Sequence, residues 1–551
     1  MSRKRQDKAH QHMDYRTVSL EKASPTPLYR QLADQIQQAL VRGDLHQGEQ
    51  LPPIRKLAQL LGISPITVSQ AYEELALLGV VSSHIGRGTF LLPRAASPLA
   101  DPVPQELAPQ PGSSHSRSSE HPWMSAVTQR VRLPRAMRLQ QLLQRASQRW
   151  HEPSPLIPMS SGNPDGSLFS LERWHQAMNQ AGLSLQQEQA RAGKLDLFQY
   201  GSSALGDPFL RRFLATYVQR YGIHVEEAQI LLTSGTQQGL DLVVRSFLQP
   251  GSTVYIDEYS YISALDIFEQ YGAFLQPVPL DEHGMRMDLL EELLVAPQPY
   301  PRLLYAIPTG HSPTGVCLPE SRRAQLRDLA HRYNLLLIED DAFNDLYYQG
   351  KRPVPALWSG ETQGRVIYLK SFSKTIFPAT RLGCLIADPA LLSVMMQYKL
   401  VSDRATSLPL ARAVLRFIDT PVYEGELLRA RSSYRHRRDV LLDALERELR
   451  PLGCYWTIPL AGLNLLLTLP PHLDEVQVVE EAAAHGLAIA PGSFFTCTTA
   501  VPRAPSLRIT FADKPPELLE EAVRRLARAL EALEQATPHD RQHLIHFTTE
   551  A

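Results

Sequence analysis

The stretch SFSKTIFPATRLG, Ser371 to Gly383, constrains this chain more than any other. It follows RVIYL, Arg365 to Leu369, a β-branched and aromatic run that reads as a buried strand. Lys374 is therefore presented at a strand end, where open α/β sheets bind their ligands. Hydroxyl side chains precede the lysine and Arg381 follows it. A lysine amine placed to condense with a carbonyl, beside hydroxyls and a guanidinium able to hold a phosphate, points to a cofactor with both an aldehyde and a phosphate. Pyridoxal 5'-phosphate (PLP) is such a cofactor. On this stretch alone, a surface turn that merely contains Ser, Lys and Arg is the alternative.

A chain of 551 residues is long enough for more than one domain, the larger with a substantial core. Its four cysteines, Cys317, Cys384, Cys454 and Cys497, stand far apart without metal-ligand spacing. They suit a reducing compartment, and no metal is expected. No apolar run approaches the roughly 20 residues that span a bilayer, and MSRKRQDKAHQHMDYR lacks the apolar segment of a signal peptide. The expectation is a cytoplasmic protein with no membrane partner. Residues 1–150 carry 19 Lys+Arg against 11 Asp+Glu, a net of +8, which leaves 37 against 46, or −9, for the remainder. A polyanion partner for the first part alone fits that asymmetry, as does a solvated charged surface.

Residues 1–20 are polar, with the basic cluster Arg3 to Arg5, and read as a disordered arm. A domain over residues 21–93 follows. Leu28, Leu32, Ile36 and Leu40 recur at helical spacing. A second short helix runs from about Ile54 to Leu61, with Leu57, Ala58 and Leu61 inward. After the turn Gly62-Ile63, Ser64 caps a third helix with Pro65 at its first position. That helix buries Val68, Tyr72 and Leu75 and shows Ile66, Thr67, Ser69 and Gln70 on its outer, early face. Two helices joined by a tight turn form the helix-turn-helix that enters a major groove, and GVVSSHIGRGTFLL turns around Gly86, Arg87 and Gly88 to make a β wing. Periodicity alone is equally met by any small three-helix bundle.

The run from PLYRQLADQIQQAL to GVVSSHIGRGTF resembles the winged helix-turn-helix of the GntR family over its whole length. The resemblance implies a double-stranded DNA partner, with Arg55 and Thr67 on phosphates or base edges and the wing near the minor groove. Ser64, Gln70 and Gly86 to Gly88 are further candidates for that face. Pro53 and Pro65 stand where the family usually has serine and a DNA-contacting arginine, so some direct readout is expected to be lost.

Residues 94–155 read as a linker, rich in Pro and Ser as far as about Pro122 and becoming helical between Arg130 and Trp150. From residue 156 to about 540, strands and helices alternate as in an α/β fold with a mostly parallel sheet and a smaller C-terminal α+β part. QILLTSGTQQGLDLVVRSFL runs strand, Ser234-Gly235-Thr236, helix, which is a natural phosphate cradle. TVYIDEYSY reads as a strand ending in Tyr261, an aromatic suited to stack on a flat heterocycle or to fill a core. NLLLIEDDAF ends in Asp340 and Asp341, and a carboxylate at a buried strand end is costly unless paired. A protonated pyridine nitrogen would be a partner; capping a helix is the other use of such acids.

Asp340, Lys374 and Arg381 in this order resemble the fold-type I aminotransferases, over roughly Ile157 to Ala536, and the whole architecture is similar to the MocR/GabR group of regulators. The resemblance implies that Lys374 forms the internal aldimine with PLP and that Asp340 faces the pyridine nitrogen. It assigns the phosphate to Ser234, Gly235, Thr236, Ser371 and Arg381, ring stacking to Tyr261, and the carboxylate of a small amino-compound effector to Arg508. Tyr200 matches the tyrosine that reaches a neighbour's phosphate, which implies a homodimer. Ser312 stands where the family's NPTG motif has asparagine, and Phe343 where a tyrosine often follows the aspartate. Two functions follow: a DNA-binding transcriptional regulator that senses an amino compound or PLP itself, or a working aminotransferase that carries a DNA-binding domain. Both replaced residues would donate to the cofactor's phenolic oxygen, so the imine should lack a strongly depressed pKa, because hydrogen bonds to a charged oxygen favour the ionised form. A pH titration of the bound cofactor's absorbance checks this, and an acidic midpoint would contradict it.

Overall fold

The computed structural model describes residues 15, 18, 20, 27–42, 45, 49–77, 80–84, 88–91, 133–151, 155–192, 203–296, 302–348, 355–360, 364–497 and 504–535. Most of the expected arm and of the linker lies outside them, as do Gly86, Arg87 and Tyr200. The chain divides into two compact units, Met1–Glu120 and His121–Ala551. Among the described residues, no helix is long and apolar enough to cross a membrane.

In the first unit, α1 (Leu28–Arg42), α2 (Ile54–Leu61) and α3 (Pro65–Leu77) enclose a core of Leu32, Ile36, Leu57, Val68, Tyr72 and Leu75. Tyr15, Val18 and Leu20 pack on the same core. Gly62, at φ 63°, ends α2 in the left-handed region that glycine adopts without strain. Ser64 then accepts from Ile66 N at 3.0 Å, at the start of α3. Tyr72 donates from α3 to Pro52 O at 2.8 Å and ties it to the turn before α2. Strands β1 (Val81–His84) and β2 (Gly88–Leu91) pair antiparallel, from Val81 against Leu91 to His84 against Gly88.

The second unit is built on a seven-stranded sheet. Its strands are β3 (Ile230–Thr233), β4 (Thr253–Asp257), β5 (Phe274–Val278), β6 (Arg302–Ala306), β7 (Leu335–Asp341), β8 (Val366–Ser371) and β9 (Gly383–Ile386). Their order is β3-β9-β8-β7-β6-β4-β5, and only β9 runs antiparallel to its neighbours. The carboxyl ends of β3, β4, β7 and β8 consequently share one edge. The strand expected through Tyr261 stops at Asp257, because Tyr259 leaves the sheet to bridge Thr496. Tyr261 stands instead immediately before the helix Ile262–Gln270. A smaller sheet joins β10 (Tyr455–Trp456), β11 (Asn464–Thr468), β12 (Ala490–Pro491) and β13 (Ser506–Thr510) in the order β10-β11-β13-β12.

Alternation along β7 separates its two terminal acids. Asp341 pairs in register with Lys370 of β8, and its carboxylate accepts from the Lys370 ammonium at 3.2 Å and from the Tyr368 hydroxyl. Lys370 also lies 3.0 Å from Asp345 Oδ2, and Asp345 accepts from the hydroxyls of Tyr217 and Tyr221. All three ionised groups are buried. Burial by itself pushes the Asp345 carboxyl up, but Lys370 and the Tyr221 hydroxyl overcome it and hold the carboxyl below the ordinary aspartate range. Lys370→Met should cost about 3–5 kcal/mol, because two carboxylates would remain buried without their cation. The wild-type contribution of Asp345 is present above the ordinary aspartate pKa and fades as pH falls through the lowered value, whereas the variant's Asp345 carboxyl regains its proton. Thermal unfolding should therefore show a deficit that is large at pH 7 and narrows toward pH 4.

Candidate functional site

Asp340 points to the opposite face of β7 from Asp341. Its Oδ2 accepts from the Tyr305 hydroxyl of β6 at 2.7 Å, while its Oδ1 is buried with no partner. Burial pushes the Asp340 carboxyl up to about 6, with the Tyr305 hydrogen bond opposing. Beyond β8, the Lys374 ammonium donates to Gly162 O at 2.7 Å. Burial, assisted by the positive charges of Arg508 and Arg381, lowers the Lys374 amine to about 8. Tyr261 is close enough to Asp340, Arg381 and Arg508 to feel their charges, and burial raises its phenol.

A continuous register assembles the neighbouring anion cradle. Gly383 of β9 pairs with Ser371 on one side and with Thr233 on the other, which brings the end of β8 beside the turn after β3. A methyl group at Gly383 would stand 2.8 Å from Lys370 O and 3.2 Å from Thr236 N, so only glycine permits this approach. Gly235, at φ 80°, precedes α4 (Thr236–Phe247), whose N-terminus offers unpaired N–H groups to an anion. A methyl at Gly235 would lie 2.9 Å from Arg381 Nη2. Arg381 donates to Ser234 O at 3.5 Å and sits at φ 44°, a left-handed conformation uncommon for a side chain of its size. Ser371 Oγ accepts from Ser373 N at 3.2 Å.

On the other flank, Arg508 of β13 is buried, stacks on Phe495 with its guanidinium carbon 4.6 Å from the ring centroid, and donates to Ser160 O. Its Nε has no partner, and burial lowers its pKa to about 10, which leaves it charged at neutral pH. Ser312 is buried in the turn after β6, and Phe343 is a core residue under Gly310. In the first unit, Arg55, Ser64 and Gln70 are exposed and Thr67 is half-buried, with Ile66 outward at 70% exposure. Gly88 opens β2.

Residues 141–526 match the family model of class I and II aminotransferases, and residues 28–91 match that of the bacterial regulatory proteins of the gntR family. The chain belongs to the class I and II aminotransferase family. Aromatic-amino-acid aminotransferase 1 of Thermococcus litoralis is 32% identical over 69% of the chain and 89% of its own length. The probable rhizopine catabolism regulatory protein MocR of Rhizobium meliloti is 27% identical over 95% and 98% respectively, so the likeness runs through both modules. The crystal structure of Pyrococcus horikoshii kynurenine aminotransferase, in complex with PMP, superposes with a TM-score of 0.65 at 30% identity, covering 74% of this chain and 97% of that one. A GntR-type head on a fold-type I aminotransferase body is the MocR/GabR arrangement.

The family's cofactor is PLP, and the residues of this body fit it. The unpaired Asp340 Oδ1 is a buried acceptor that a pyridine N–H would satisfy, and the space between Gly235 and Arg381 is one that any Cβ would fill. Tyr305 and Gly162 escape the reading of the sequence. Tyr305 looks like any strand tyrosine, although SSGNP around Gly162 was a signal for a turn near the site. Asp340→Asn should weaken PLP retention yet stabilise the cofactor-free chain. A carboxyl whose pKa is raised on folding destabilises its ionised form, by on the order of 2–3 kcal/mol here, above pH 6. The stability gain of the variant should thus appear in thermal unfolding at pH 8 and vanish at pH 4.

Proposed function

We propose that this protein is a cytoplasmic, homodimeric, PLP-dependent transcriptional regulator whose aminotransferase-type body senses a small amino compound. The observation that carries the reading is the site itself, in which a half-buried lysine amine, an unpaired carboxylate oxygen and a glycine-arginine cradle converge at one sheet edge of a chain that also bears a GntR-type head.

When bound, PLP supplies an aldehyde that captures primary amines and a ring that withdraws electrons. Lys374 is the amine that competes for that aldehyde; with its pKa lowered to about 8, a useful fraction is unprotonated near neutral pH. Gly162 O orients it by accepting a hydrogen bond from it. Asp340 holds a proton on the ring nitrogen through Oδ1, while Tyr305 occupies Oδ2. Ser234, Gly235, Thr236, Ser371 and Arg381 hold the phosphate, Tyr261 stacks on the ring, and Arg508 grips the effector's carboxylate. Tyr200 of a second copy completes the phosphate site.

The route from this site to DNA runs through covalent neighbours. Ser160 and Gly162 hold Arg508 and Lys374 by their carbonyls, and both follow the helix Arg135–Ser147 at the end of the tether. Arg135 pairs with Asp266 at 3.2 Å and donates to Glu269 at 2.6 Å, on the helix that starts after Tyr261. An effector that favours one arrangement of these groups shifts the population of tethered heads by its differential affinity.

Lys374, Asp340, Arg381 and Arg508 are also the groups a transaminase needs, so turnover is the competing reading. Steady-state assays with a panel of amino acids and 2-oxo acids should yield at most residual turnover, and rapid turnover would overturn the regulatory reading. The protein should bind its own upstream DNA with strong salt dependence, and an amino compound or PLP should alter that binding. Lys374→Ala should lose the cofactor absorbance band and the amine response while DNA binding persists. A band that survives in the variant would mean that another lysine carries the cofactor.

A further inference from the structure

Arg508 and Asn464 share one face of the C-terminal sheet. Leu466 of β11 pairs with Arg508 of β13 and Asn464 pairs with Thr510, so the two side chains are diagonal neighbours across the strands. The surrounding protein leaves both incompletely satisfied. Arg508 Nε and Asn464 Oδ1 are each buried without a hydrogen-bond partner, and Asn464 is only 3% exposed. Both face Gly162: a methyl group there would lie 3.8 Å from Arg508 Nη1 and 4.0 Å from Asn464 Oδ1. The same glycine accepts from Lys374 at 2.7 Å through its carbonyl oxygen. Amine, guanidinium and amide therefore converge around one glycine.

A buried amide oxygen with no donor opposes folding, and an apolar residue of similar size would remove that cost. Its retention beside a guanidinium calls for a ligand donor. We propose that Asn464 is a specificity-determining residue. It accepts a hydrogen bond from an effector that carries a hydroxyl or amide N–H on its side chain, in addition to the carboxylate held by Arg508. This rests on the reading that an amino acid enters the PLP site. Arg508 recognises the carboxylate that all such compounds share, whereas Asn464 separates them. A site built to hydrogen-bond a donor discriminates against the isosteric compound that lacks it, because the acceptor is then left unpaired.

The test titrates the PLP-loaded full chain with two isosteric pairs, L-serine against L-2-aminobutyrate and L-homoserine against L-norvaline, following the cofactor absorbance. In at least one pair the hydroxyl compound should bind five-fold tighter or more. Asn464→Leu should abolish or reverse that preference while leaving the absorbance band of the unliganded protein unmoved. Asn464→Ala serves the same comparison if the leucine variant does not fold. Binding without preference in either pair, or a preference that survives both substitutions, would overturn the assignment of Asn464. A wild-type spectrum unchanged by all four amino acids would overturn the amino-acid-sensing reading itself, and this inference with it.

Discussion

Burying ionised groups at the carboxyl ends of β7 and β8 is the constraint on which the site depends. Asp340, Asp341 and Lys370 all lie in strands of the central sheet, where no water compensates an unpaired charge. Strand alternation resolves the conflict by dividing them between two faces. On one, Asp341 and Asp345 share the Lys370 cation and three tyrosine hydroxyls. On the other, Asp340 keeps one oxygen for Tyr305 and leaves the second unsatisfied. The first face is a closed network that stabilises the sheet end. The second leaves an acceptor that a pyridine N–H would satisfy.

The same economy of space governs the flanks. Gly383 permits β9 to approach the turn after β3, which sets the N-terminus of α4 beside Arg381; any side chain there would force backbone apart. Gly162 leaves room over Lys374, Arg508 and Asn464. At Gly383 the glycine matters for the volume it leaves free rather than for a turn. The carbonyls of Ser160 and Gly162 then link Arg508 and Lys374 to one stretch of three residues.

A regulator assembled from an enzyme's body inherits groups able to do chemistry, and the difference between sensing and turnover resides in details. Ser312 and Phe343 replace donors that the family places near the phenolic oxygen, and Phe343 is committed to the core instead. The first unit keeps the polar outer face of a DNA reader, with Arg55, Ser64 and Gln70 exposed, yet it also exposes Ile66 at the start of α3.

Much of this was legible in residue order. The period of Leu32, Ile36, Val68, Tyr72 and Leu75 marked the inner faces of α1 and α3, the Ser64-Pro65 pair marked where α3 starts, and the Lys374 stretch announced the chemistry of the body. Local signals of this kind work because a helix cap, a heptad-like stripe and a strand followed by a reactive side chain are written within a few residues. The resemblance had already assigned Asp340 to the ring nitrogen, whereas tertiary structure alone decided that Asp341 turns to the opposite face, where Lys370 neutralises it, that Tyr305 engages Asp340, and that Gly162 lies beside Lys374, Arg508 and Asn464. Those assignments depend on strand register and on distant partners, such as Lys374 and Gly162 at 212 residues apart, a separation across which composition and periodicity carry no information.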